Sequence, residues 1–169
     1  MGESKDRIAT AQEEAAWLAP SQGMSYFHNS HKRTFNRSYA NAYDYTEHGQ
    51  TLKSFLRESY NLVIHLGNHH RIEESYIFPM LARKHPAFRN DAEHKASHKA
   101  IHDGLERYSS FLRDAMADES KYSPGKLREI LDSFREPLMR HLDDEVRDLE
   151  PDSLKAHGFT LTEVRALPF

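Results

Sequence analysis

Long stretches of the chain carry apolar residues at steps of three and four, and no run sustains period-two alternation, which restricts the chain to a helical architecture. From Leu52 through Phe55, Leu56, Leu62, Leu66, Ile77 and Leu81, one apolar stripe marks a single helix from about Thr51 to Arg83. Similar patterns predict helices over roughly Met24–Tyr45, Ala87–Ala117 and Lys126–Leu149, with turn signals near Gly49, at Pro86 and across Asp118–Gly125. Pro20 is expected to end a separate short helix, Lys5–Leu18, and Ser21 to cap the next one. Pro137 is expected to kink the last long helix one turn before His141, and the tail 152–169 to form one or two short helical turns around Gly158. Four long helices with short connections predict an all-α, up-down-up-down four-helix bundle. The chain reads as one domain over 1–169, with a core of about 24–150 and helical extensions at 1–23 and 151–169 that cover a bundle end.

The composition narrows the chemistry. The 169 residues carry 23 Lys and Arg against 26 Asp and Glu, so no basic excess points to a nucleic-acid partner. No apolar run approaches the ~20 residues of a membrane span, and the polar start lacks the apolar stretch of a secretory signal. A cytoplasmic location, no membrane partner and a monomer or weak homodimer are expected. There is no cysteine, which excludes disulfides, thiolate nucleophiles and zinc-thiolate sites. There are 12 His, more than the 9 Phe or the 8 Tyr, and that excess needs a reason.

Residues that share one side of a helix lie three, four or seven apart. His69 and Glu73 satisfy this, as do His70 and Glu74, the column His94, His98 and His102, and the pair His141 and Glu145. Height supplies a second test, because residues equally far from a turn sit level in paired antiparallel helices. His28 precedes Gly49 by 21 positions and His69 follows it by 20. His69 and Glu73 precede Pro86 by 17 and 13, while His98 and His102 follow it by 12 and 16. His98 and His102 precede Tyr122 by 24 and 20, and His141 and Glu145 follow it by 19 and 23. His28, His69, Glu73, His98, His102, His141 and Glu145 are therefore expected in one layer. His94 follows Pro86 by only 8 positions and ranks below its neighbours, while the His70/Glu74 pair stays open as an alternative to His69/Glu73. His48, His85 and His157 read as solvated or hydrogen-bonded side chains. Tyr26, Phe27, Phe55, Tyr76 and Phe111 read as ordinary core ahead of a pocket lining.

Buried carboxylates are costly unless paired or bound to a cation, so the layer predicts a metal centre. Five nitrogens with two carboxylates exceed one tetrahedral zinc and are too rich in nitrogen for calcium or magnesium. Two first-row transition ions fit better, iron ahead of manganese, with zinc as a substitute.

The ordered pattern also resembles a known family. A first-helix His, then HxxxE at His69–Glu73, HxxxH at His98–His102 and HxxxE at His141–Glu145 is similar to the hemerythrin or HHE cation-binding family, as are MSYFHN at 24–29, EESYIFP at 73–79, HKAIHDGL at 98–105 and HLDDE at 141–145. The resemblance implies a non-haem di-iron centre of oxo- or hydroxo-bridged Fe2+/Fe3+, with Glu73 and Glu145 bridging and His28, His69, His98, His102 and His141 capping. It also implies binding of O2 or a related small diatomic. The alternative is a di-iron oxidoreductase that turns O2, peroxide or nitric oxide on a small organic substrate. Neither ExxH nor HExxH occurs, which argues against a ferritin-like oxidase and a zinc metalloprotease.

Overall fold

The computed structural model describes residues 10–90 and 92–169, and among them it is helical, without a strand. The long helices are α1 (Ala11–Ala40), α2 (Leu52–Ile72), α4 (Glu93–Ala117) and α5 (Pro124–Asp148). A π-helical turn, Glu73–Ile77, joins α2 to the short α3 (Phe78–Leu81), and α6 (Pro151–Ala156) and α7 (Leu161–Arg165) form the tail. Helix α1 packs on α2 and α5, and α4 packs on the same two, which closes a ring of four.

The start of the chain corrects the sequence expectation. Helix α1 runs unbroken through Pro20, with no boundary at Leu18 and no cap at Ser21. Its cap is Thr10, whose side chain accepts from the Glu13 amide while the Glu13 carboxylate accepts from the Thr10 amide. That capping box satisfies two amides that a helix start would otherwise leave bare. Pro20 removes one helical hydrogen bond, yet it is buried, and packing of α1 against α6 and α7 outweighs the loss. Residues 5–9 of the expected short helix lie outside the described residues. At its other end α1 stops at Ala40, short of Tyr45. There Arg128 donates to the carbonyls of Tyr39 and Ala40 and stacks over the Tyr39 and Tyr43 rings. Helix α5 continues through Pro137.

Two apolar clusters fill the interior. One joins Phe35, Leu62, Leu66, Ile101, Leu105, Phe134 and their neighbours among the four long helices. The other joins Met24, Ile77, Phe78, Leu81, Phe88 and Leu149 to Leu154, Phe159, Val164 and Leu167 of the tail. Each buried aliphatic or aromatic side chain of the tail is worth about 1.5–3 kcal/mol, so 151–169 is part of the core it covers. Gly158 turns the chain between α6 and α7 at a φ of 75°, where a side chain would be strained. Gly104 serves a different end. A Cβ there would stand 2.5 Å from Phe134, so its absence lets α4 and α5 meet.

The helices cross from one cluster to the other through a polar layer. On α1, His28 lies between Met24 and Phe35. On the second strut, His69 to Glu73 lies between Leu66 and Ile77. On α4, His94 and His98 lie between Phe88 and Ile101.

Candidate metal centre

Six of the seven residues expected in the layer come together there: His28, His69, Glu73, His98, His141 and Glu145. With His70, which joins them, their donor atoms fall into two groups, each drawn together within 4.8 Å: His70, His98 and His141, and His28, His69, Glu73 and Glu145. The Nε2 atoms of His28 and His69 are 3.0 Å apart, as are those of His98 and His141. Two nitrogens bound at ~2.1 Å to one ion at right angles would be about 3.0 Å apart, so these pairs match a shared cation.

The carboxylates span the two groups. Glu73 places Oε1 2.7 Å from His69 Nε2 and Oε2 3.5 Å from His98 Nε2. Glu145 Oε2 lies 3.5 Å from His28 Nε2 and 3.4 Å from His141 Nε2. Both carboxyl groups are fully buried, and these approaches fall outside hydrogen-bond geometry, so all four oxygens lack a hydrogen-bond partner. A buried, unsatisfied polar atom costs about 1–3 kcal/mol, and more when charged. A cation would remove that cost.

The electrostatics agree. Burial holds both Glu73 and Glu145 well above the usual carboxylate range, the Glu74 charge adding for Glu73 and the Glu73 charge for Glu145. Burial also lowers the imidazoles, to about 4 for His69 and His98 and about 2 for His28, and holds His70 and His141 well below the ordinary imidazole value. The histidines are therefore neutral and carry lone pairs at physiological pH, the state in which they bind metal.

Two of them are fixed in the right tautomer. His28 Nδ1 donates to the Leu142 carbonyl at 2.7 Å, and His98 Nδ1 donates to Glu74 Oε1 at 2.8 Å. With the proton held on Nδ1, each Nε2 turns a lone pair into the layer. Glu74 thus orients His98 from the rim and stands outside both donor groups.

His102 is the expected residue that the fold does not bring in. Three α-helical positions spaced by four drift by ~80° around the axis, and the buried stripe of α4 steps instead from His98 to Ile101 and Leu105. His102 is left exposed, on the rim of a polar pocket that also holds His70, His98, Lys95 and Lys99. His70 occupies the layer beside His98, their rings stacked at 3.8 Å. The pairs His69/Glu73 and His70/Glu74 are thus not alternatives, because both histidines enter.

His69 and His70 are neighbours about 100° apart at the end of α2, and both reach the layer from there. The π-helical turn follows them: Phe78 N–H reaches back to the Glu73 carbonyl, one residue further than in an α-helix, and such turns recur at functional sites. The doubled His was the visible signal, but spacing along one helix face does not say that both enter. His94 is buried, yet its Nε2 pairs with Asp148 at 2.9 Å and it belongs to neither donor group. His85, expected to be hydrogen-bonded, pairs with Ser153 and stacks on His157.

A cavity of about 460 Å³ opens beside His69 and Glu73. Tyr26 and Phe27 line it and are exposed, as is Tyr76, in contrast to the core placement expected for them, whereas Phe55 is buried. His31 also lines the cavity, with a buried Nε2 that has no partner.

The model of the hemerythrin HHE cation binding domain matches residues 21–152. A curated protein, dimeric xanthone biosynthesis cluster protein R11 of Cryptosporiopsis sp. (strain 8999), is 33% identical over 125 residues, covering 73% of this chain. The aligned part is 46% of that protein, so the chain spans about half the length of the relative it matches. No solved structure matches. Helical architecture, clustered imidazole and carboxylate donors and the domain match converge: the chain belongs to the hemerythrin HHE cation-binding family.

Proposed function

We propose that α1, α2, α4 and α5 form an up-down-up-down bundle around two iron ions, and that the pair binds O2 or a related small diatomic. One ion would sit against His70, His98 and His141 and the other against His28 and His69, with Glu73 and Glu145 reaching both. The observation that carries the reading is the pair of fully buried carboxylates whose oxygens have no hydrogen-bond partner and face neutral imidazoles on two sides. When bound, iron supplies the redox chemistry that such a diatomic requires. The chain's own work is to hold Nε2 lone pairs inward through the Leu142 carbonyl and Glu74, and to exclude water with the two apolar clusters.

A second reading, an oxidoreductase acting on a small organic molecule, is favoured by the apolar cavity that reaches His69 and Glu73. The name of the relative, which places that protein in a biosynthesis cluster, points the same way. Anaerobic ferrous loading separates the readings, with metal content by mass spectrometry and absorbance spectra as O2 is admitted and withdrawn. Two irons per chain with a reversible band support diatomic binding. Two irons with irreversible oxidation support the enzyme, and no stoichiometric metal overturns both.

A further inference from the structure

The cavity beside His69 has a composition that the metal centre does not require. Its outer wall is Tyr26, Phe27, Ile72 and Phe169, which remain 71%, 52%, 46% and 38% exposed. Four of the eight large apolar side chains exposed among the described residues gather around this one mouth, and such patches mark binding sites. Tyr26 and Phe27 meet edge to face at 5.5 Å, and the Phe27 ring lies 6.0 Å from His69. A flat ring would enter between walls of this kind.

The inner end differs from the mouth. His31 is 5% exposed, its ring centre 4.9 Å from that of His69, and its Nε2 has no hydrogen-bond partner. Among the described residues no Lys, Arg or Asp lines the cavity, and Glu73 supplies its side-chain carboxyl group. In the metal-free protein an anion would meet that carboxyl group without a basic side chain to offset it, and a pure hydrocarbon would leave His31 unpartnered. A volume of about 460 Å³ falls within the range of small-molecule sites and accommodates roughly two or three fused rings.

We propose that this cavity binds a neutral, planar aromatic alcohol, with its rings between Phe27 and Ile72 and its O–H donated to the His31 imidazole beside the cation layer. The assignment names the substrate class of the enzyme reading above and rests on it. It requires only that the molecule sit next to the centre.

The test is a fluorescence titration of metal-free and zinc-loaded protein with 2-naphthol, alongside naphthalene and 2-naphthoate. Saturable binding of 2-naphthol, about tenfold or more tighter than either analogue, is expected. Phe27→Ala should weaken it about five- to tenfold through loss of ring contact, and Ile72→Trp should abolish it by filling the mouth. Both positions are exposed enough that the fold should tolerate the change, and Ile64→Ala, on an exposed site outside the cavity, should leave affinity unchanged. Equal affinity for naphthalene, an unaltered Ile72→Trp variant or no saturable binding overturns the proposal. Zinc content of the same samples reports on the centre separately. Selective naphthol binding by protein that takes up no zinc supports the cavity and refutes the centre, whereas two zinc ions without naphthol binding refutes the cavity alone.

Discussion

Replacing Glu145 by Gln should have opposite effects on the metal-free and the metal-loaded protein. Glu145 is fully buried, both of its oxygens lack a hydrogen-bond partner, and burial followed by the Glu73 charge raises its pKa well above 4.5. A carboxyl group with a raised folded-state pKa contributes its full stability below the unfolded value of 4.5, and that contribution is lost as pH rises through the folded value. Gln is close in shape to the protonated acid and does not titrate. Metal-free E145Q and wild type should therefore have similar stability at low pH. Above pH 4.5 the variant should gain on wild type by about 1.4 kcal/mol per pH unit, until the folded pKa is reached. Taking the difference between the two proteins removes the buried histidines, whose lowered values tilt both curves the other way. For a chain of this length each kcal/mol is about 2–4 °C in Tm. With metal present the order should reverse. A cation at a thousandfold excess over its Kd adds about 4 kcal/mol to wild type, and E145Q, which lacks the charge facing His28 and His141, should lose most of that. Denaturant unfolding from pH 4 to 8, with and without metal, measures both effects. A stability difference that does not vary with pH, or a metal-free wild type more stable than E145Q at pH 7, would refute the reasoning.

Other outcomes follow from the same geometry. His70→Ala should lower the metal count per chain whereas His102→Ala should not, as read by mass spectrometry after gel filtration; the reverse pattern would restore the α-helical column as the ligand set. Loading the centre below the raised folded-state values of Glu73 and Glu145 should release protons, because both must ionise to meet a cation, and affinity should fall as pH is lowered. An indicator dye in weak buffer detects this, and loading without proton release would contradict the raised carboxylates. Gly104→Ala should destabilise the fold despite a helix-propensity gain of about 1 kcal/mol, because a Cβ 2.5 Å from Phe134 forces an overpacking cost of about 1–3 kcal/mol or more. A raised denaturant midpoint would show that Phe134 can yield.

Much of this was legible in the sequence because it depends on regular geometry. The apolar steps in 52–81 and the level heights of His28 and His69 follow from a fixed rise per residue, and the Nε2 atoms of that pair stand 3.0 Å apart. What escaped was irregular or tertiary. Pro20 was read as a helix end and the Thr10–Glu13 capping box was missed, since nothing local shows that α6 and α7 will hold α1 together across the proline. His102 was misplaced because a column of fours drifts off the buried stripe. His70 was undecided because neighbouring helical residues stand about 100° apart, and spacing along one face does not say that both reach one site. Tyr26 and Phe27 looked like core because an aromatic residue on a helix does not declare whether the opposite wall is protein or empty space.

The layer that gathers the histidines also divides the interior. On one side lies the cluster around Phe35, Leu66 and Phe134, and on the other the cluster that includes Met24, Phe78 and the tail. Between them is a slab of imidazoles that touch across the helices and of two carboxyl groups without a hydrogen-bond partner. Without a cation, the two oily compartments are joined through that slab and by the helices that run across it. Cations held in the two donor groups, which between them draw on all four long helices, would act as rivets through that slab, and whether the chain melts in one step or two would then measure occupancy.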